Sequence, residues 1–372
     1  MKKKKINRDQ ILYYLIFFVT CCVSGFVGGI TAATSETEYN PIYIELVFLL
    51  SVVIHVVLHE FGHLVFGLAS GYKFSSFRIG SIALVKQKGK LRLKRYSLAG
   101  SLGQCLLIPP DTDNDEISYV MYNLGGVWMN ILISGITMLI YIASGFPEAW
   151  STGILIFVFI GYAIAALNGI PLKPGEINND GYNTLELKRS PKARRSLRIQ
   201  MKINSLLVEG VRAKDMPEEW FEVPEKEDMK NSMNSTMGVF ACSRLMDMHK
   251  LDEAEKLTEE LLSMDSAIIG IYRRLMICDL IYCKSIRGAA AEEINALLDK
   301  AQKKFMKSMK NNPSVIRTEY VLALMIENDK EKAEKQLLNF EKRAKKYPYP
   351  ADIESERELI ELADKVLSEA NK

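Results

Sequence analysis

Residues 42–70 constrain the fold most: they form an apolar run that carries HEFGH, residues 59–63, in its second half. A bilayer takes about 20 residues to cross as a helix. Runs at roughly 10–30, 121–145 and 150–168 reach comparable length. Backbone in hydrocarbon must satisfy its own hydrogen bonds, so all of these are expected as helices. The expected fold is mainly α: a polytopic membrane protein with about four transmembrane helices, a small cytoplasmic β-hairpin region and a C-terminal cytoplasmic α-solenoid-like domain.

Loop charges orient the spans by the positive-inside rule. MKKKK at the start is expected in the cytoplasm, and the acidic TSETEYN (34–40) outside. The loop 71–120 carries Lys73, Arg78, Lys86, Lys88, Lys90, Arg92, Lys94 and Arg95, which puts it inside. FPEAW (146–150) is then outside, and the charged tail inside. Both termini are therefore expected in the cytoplasm of a multi-pass cell-membrane protein, and the lysine-rich style suggests a bacterial source. The first run has no small-x-small site after it and reads as a retained anchor rather than a cleaved signal. Phe18, Val19 and Thr20 make no lipobox for Cys21.

A net charge of +3, with its basic residues dispersed, gives no nucleic-acid footprint. Cys21, Cys22, Cys105, Cys242, Cys278 and Cys283 show no paired spacing, so no disulfide framework is expected.

Residues four apart share a helix face, so His59 and His63 can present two imidazoles to one ion. Glu60, one step round, is placed to reach a metal-bound water. Catalytic zinc takes three protein ligands and leaves one position for water, whose pKa falls to about 7. A glutamate at membrane depth costs roughly 2.5 kcal/mol or more and usually faces a functional interior. His55 lies one turn earlier on the same face. Three such histidines span about 12 Å by helix rise, too far for one ion, which leaves His55 to support the site or pack in the interior. His249, in the soluble part, reads as a turn residue.

From Ile42 to His59 the helix rises about 25 Å, which puts the motif in the cytoplasmic portion of the membrane. A third ligand should come from a nearby cytoplasmic helix end. The fourth run ends in NGIPLKPGEINNDG (168–181), where Pro171 and Pro174 break the helix and Gly181 permits a tight turn. Both Asp180 and Glu176 offer carboxylates there.

HEFGH in a membrane helix, GGVWMN (125–130) in the next, and N-x-x-P followed by Asp-Gly (168–181) together resemble the site-2 protease family of intramembrane zinc metalloproteases. The resemblance covers about residues 42–185. It implies a core of three membrane helices, one Zn2+ held by His59, His63 and Asp180, and Glu60 as general base. Asn130 and Asn168, otherwise readable as interhelical hydrogen-bonding groups, would lie near the site and orient substrate or stabilise the oxyanion. The stretch from Pro171 to Asp180 is longer than the commonest form of the motif, which keeps Glu176 as an alternative.

KLRLKRYSL (90–98) alternates with period two, and Gly89 in KQKGK suits a hairpin turn to SIALV (81–85). An open strand there could hold an unwound substrate by backbone pairing. Alternatively, the hairpin lies on the membrane with its lysines on anionic lipid. DTDNDE (111–116) has Glu116 and Tyr122 where a calcium loop needs glycine and glutamate, so it reads as a solvated loop. After a hinge near 213–228, residues 245–262, 286–298 and 327–343 echo tetratricopeptide-type helical hairpins.

The chain thus divides into an expected transmembrane metalloprotease domain at 1–185 (catalytic core about 42–185), a linker and helical connection at 186–228, and a cytoplasmic helical-repeat domain at 229–372. The expected activity is intramembrane zinc endopeptidase cleavage of a membrane-spanning protein or peptide near the cytoplasmic face. Residues 229–372 would offer a surface to a cytoplasmic protein partner. The competing readings are a catalytically silent scaffold that recruits partners through its repeats, and another membrane HExxH metallopeptidase.

Overall fold

The computed structural model describes residues 8–34, 41–96, 102–111, 118–174 and 178–370. Helices α1 (Arg8–Thr34) and α2 (Pro41–Ala69) precede strands β1 (Lys73–Ile79), β2 (Ile82–Gln87), β3 (Lys90–Arg95) and β4 (Gly103–Ile108). Then come α3 (Tyr119–Ser144), α4 (Glu148–Gly169), α5 (Asp180–Arg189) and α6 (Pro191–Glu209). After short 3-10 turns the chain continues through α7 (Ser232–Asp247), α8 (Leu251–Ser263), α9 (Gly270–Ile286) and α10 (Ala291–Leu297). It ends with α11 (Lys300–Ser308), α12 (Pro313–Val321), α13 (Lys330–Ala344) and α14 (Pro350–Ala370). Contacts divide it into two discontinuous units, Met1–Phe74 with Leu102–Pro191, and Ser75–Ser101 with Lys192–Lys372.

In the first unit, among the described residues, three helices are long and apolar enough to cross a membrane: Ile42–Ala69, Tyr119–Ser144 and Trp150–Gly169. The earliest expected run is helical as α1, whose first turn is tied to the end of α4: the Lys173 backbone N–H donates to Asp9 Oδ2 at 3.3 Å. α2, α3 and α4 pack on one another. Their outward residues, such as Leu46, Leu50, Val53, Leu132, Leu139 and Ile142, are exposed and apolar, while Ser51, His55, His59, Asn130, Ser134 and Thr152 are buried. That inversion of the soluble pattern suits helices whose solvent is lipid and whose polar groups face an interior. α2 and α3 cross at Gly62 and Gly125. A Cβ on Gly62 would lie 2.6 Å from Met129 Cβ, and one on Gly125 2.6 Å from the Gly62 carbonyl oxygen. Small residues allow such close backbone approach.

In the second unit β2 pairs antiparallel with both β1 and β3, with Phe77↔Leu84 and Leu84↔Leu93 in register. The expected hairpin closes through Lys88 and Gly89, both at positive φ (50° and 75°), the requirement of a two-residue type I′ turn. Period two separates its faces. Ala83 and Val85 are buried with Val208 and Tyr349, whereas Ile82, Leu84, Leu91 and Leu93 are exposed. Gln87 Nε2 donates to the Pro348 carbonyl at 2.8 Å, and the Arg95 N–H to the Lys346 carbonyl at 2.9 Å, which fastens the hairpin to the chain before α14.

The helices of this unit share a core that includes Met246, Tyr282, Ile316, Val321, Phe340 and Ile360. His249 (φ 56°) turns the chain from α7 into α8, and Asn328 (φ 52°) turns it into α13. The expected 286–298 echo is helical at Ile286, where α9 ends, and over the short α10. Arg317, fully buried, pairs with Glu356 at 2.7 Å and Asp279 at 2.5 Å.

Candidate metal centre

Two imidazoles and a carboxylate from helices distant in sequence converge in the first unit. His59 and His63 project from one face of α2, four residues apart as helix periodicity requires. Asp180 opens α5. His59 Nε2 lies 2.9 Å from Asp180 Oδ2, His63 Nε2 3.5 Å from the same oxygen, and the two Nε2 atoms are 3.2 Å apart. Among the described residues, this trio is the group of His, Cys, Asp and Glu arranged to hold a metal ion. The donors fit zinc. Tetrahedral bonds of about 2.0–2.1 Å separate ligand atoms by about 3.3 Å, close to the distances seen. Burial pushes the Asp180 carboxyl up, but the His63 and His59 rings beside it outweigh that and hold it below the usual carboxylate range.

The ring nitrogens that would meet an ion are oriented from behind. His63 Nδ1 donates to the Tyr122 carbonyl at 2.7 Å, which leaves Nε2 bare toward Asp180. Tyr122 also ties α3 to β4, because its hydroxyl donates to the Cys105 carbonyl at 2.8 Å. His59 Nδ1 lies 3.3 Å from Asn130 Nδ2. Gly126 makes room for the His59 ring, since a Cβ there would lie 2.5 Å from its Cε1.

Asp180 is held by its neighbour. α4 must end before Pro171, and the chain returns to α5 through Asn179. Its side chain caps α5, Oδ1 accepting from the Tyr182 N–H at 2.9 Å and from the Leu172 N–H at 3.1 Å. Asn179 Nδ2 donates to the Leu167 carbonyl at 2.8 Å and the Ile170 carbonyl at 2.6 Å. One side chain thus joins the end of α4 to the start of α5. Gly181 permits the closure, because a Cβ there would lie 2.8 Å from the Gly169 carbonyl carbon.

Glu60 turns toward β4: a Cβ on Gly103 would lie 2.5 Å from Glu60 Oε1. Asn130 reaches His59. Asn168 instead donates to the Ile164 carbonyl one turn back along α4, at 2.9 Å. His55, fully buried, stands behind Asn130. Glu176 and most of the 111–116 loop lie outside the described residues. Sequence reasoning missed Asn179 and Gly103. Asn before an Asp-Gly helix start is an N-cap signal that could have revealed Asn179, whereas no local pattern marks Gly103.

A model of the family described as Peptidase family M50 matches residues 47–334, a stretch that includes every residue of the trio. No curated protein and no solved structure matches the chain.

Proposed function

The chain belongs to peptidase family M50, the site-2 protease family of membrane metallopeptidases, and on that premise we propose that it is an intramembrane zinc endopeptidase acting on membrane-spanning substrates near the cytoplasmic face. The observation that carries this reading is the convergence of His59 Nε2, His63 Nε2 and Asp180 Oδ2 within 3.5 Å, in a membrane-helix interior.

His59, His63 and Asp180 would hold the ion. Zinc, when bound, supplies Lewis acidity toward a peptide carbonyl and a water that deprotonates near neutral pH. Glu60 would serve as general base toward water and return the proton to the leaving amine, a role open to a carboxylate. Asn130 holds His59 from behind, so its part in the reaction runs through the ligand. Asn168 would keep its bond to Ile164, a role in helix integrity.

The remaining features extend this reading. α1 acts as a fourth span that returns the N-terminus to the side where α4 ends, consistent with the Asp9–Lys173 contact. Both termini are then cytoplasmic, the 1–185 region is the catalytic domain, and 229–372 is a helical-repeat domain for a cytoplasmic protein partner.

The test compares purified wild-type protein with Glu60→Gln and Asp180→Asn. Glu60→Gln should retain zinc and lose cleavage of membrane-spanning peptides, while Asp180→Asn should lose both. Cleavage by Glu60→Gln refutes the general-base assignment, and undiminished zinc in Asp180→Asn refutes the ligand set. Membrane peptides that accumulate in cells expressing Glu60→Gln identify the substrate.

A further inference from the structure

His55 sits one turn before the metal ligands, fully buried and unused by the reaction derived above. Its Nε2 lies 3.0 Å from the Phe157 carbonyl of α4 and its Nδ1 3.2 Å from Asn130 Oδ1. Its ring packs on Phe157 with centroids 4.3 Å apart. A pocket is cut for it in α4, since a Cβ on Gly161 would lie 2.7 Å from His55 Nε2. From Asn130 the chain of contacts continues to His59 Nδ1. The order Phe157, His55, Asn130, His59 is unbroken.

The donors and acceptors along this chain favour one arrangement of hydrogens. The Phe157 carbonyl can only accept, so the hydrogen of His55 is on Nε2. An imidazolium would bury a charge whose hydrogen-bond partners here are an amide and a carbonyl, so His55 is neutral and Nδ1 is bare. A bare Nδ1 needs a donor, which the Asn130 amide nitrogen supplies. The two ends of an amide are told apart by their partners. The amide is therefore turned over, with Nδ2 on His55 and Oδ1 on His59. His59 must then carry its hydrogen on Nδ1, which leaves Nε2 bare on the side of Asp180 and His63.

From this we infer that His55 is a positioning residue: by fixing which end of the Asn130 amide faces His59, it sets the tautomer in which His59 can bind a metal. Without it, Asn130 is free to offer its NH2 to His59 Nδ1. That would force the His59 hydrogen onto Nε2, where an ion must bind. The inference rests on the metal-site reading above and concerns this chain's own hydrogen bonds.

The experiment measures zinc affinity by chelator competition for wild type, His55→Phe, Asn130→Asp and the double variant. Phenylalanine keeps the ring against Phe157 and removes both hydrogen bonds. The carboxylate introduced by Asn130→Asp has two equivalent acceptors, so no wrong end exists. His55→Phe should lower zinc affinity by about 10–100-fold, the usual effect of losing an outer partner of a metal-bound histidine. In the Asn130→Asp background the same replacement should cost nothing. A loss equal in both backgrounds overturns the inference in favour of simple packing, as does no loss in either. Nitrogen-15 histidine spectra of the zinc-loaded wild type give a readout that no variant's folding can spoil. His55 should carry hydrogen on Nε2 and His59 on Nδ1, and the opposite assignment at either residue overturns the inference. A wild type that binds no zinc at all instead refutes the metal-site reading, a different outcome from any of these.

Discussion

Asn179 and Asp180 divide one task between adjacent residues: the first spends its amide on four backbone groups, and the second faces the histidines. A saturated amide between α4 and α5 leaves the Asp180 backbone little freedom, so the third donor is delivered by helix-end geometry. Replacing Asn179 with alanine removes an N-cap, about 1 kcal/mol. It also strands buried backbone groups at about 1–3 kcal/mol each. Asn179→Ala should therefore lower the melting temperature and weaken zinc binding by about 10–100-fold while every ligand remains. Thermal unfolding with chelator titration checks both, and unchanged affinity would show that Asp180 positions itself.

Gly126 and Gly103 offer separate tests of the proposed metal site and the proposed base. A Cβ on Gly126 runs into the His59 ring, and one on Gly103 into the Glu60 carboxylate. Gly126→Ala should displace the His59 ring and lower zinc affinity at least about tenfold. Gly103→Ala should keep zinc yet lower turnover by up to about 100-fold, the lower end of what general acid–base catalysis supplies. Metal content and cleavage rate measured on the same preparations decide this. Parallel losses in both variants would mean that β4 does not serve Glu60 separately.

How much of this was legible in the sequence follows from what each signal depends on. HEFGH is readable because helix periodicity alone puts His59 and His63 on one face, and lipid makes polar residues there conspicuous. The hairpin was readable from alternation and from Gly89 in KQKGK. Asp180 and Glu176 could not be separated by chemistry in the sequence, and the preference for Asp180 came from a family likeness. β4 was hidden because SLAGSLGQCLL lacks alternation. Partners such as Tyr122, Gly103 and His55 depend on which carbonyl or side chain the crossing of α2, α3 and α4 brings opposite them, and that is a property of packing.

Tyr122 offers a control for the orienting bonds. His63 is held by the Tyr122 backbone carbonyl, while the phenol hydroxyl bonds Cys105. Tyr122→Phe therefore keeps the contact that matters to the ligand. It should cost about 0.5–1.5 kcal/mol of stability through the lost hydroxyl bond. Zinc affinity should stay at the wild-type level; a fall would mean that β4 braces His63 through the phenol.

The second unit gives a pH prediction through Asp352, near the start of α14. Burial, and then the like charges of Glu356 and Asp247, push its carboxyl up to about 7, against which Arg212 pulls only weakly. The unfolded chain releases this proton near 3.8, the ordinary aspartate value. Between those values the folded state holds a proton that the unfolded state has lost, so stability declines as pH rises. The decline ends once pH passes the folded value. Asp352→Asn removes the ionisation and keeps the shape. Its gain in stability should be absent near the lower value, grow through the window and level off above about pH 7. Thermal unfolding of the full-length protein at pH 5 and pH 8 measures it. A gain no larger at pH 8 than at pH 5 would show that Asp352 is ionised in the folded protein throughout.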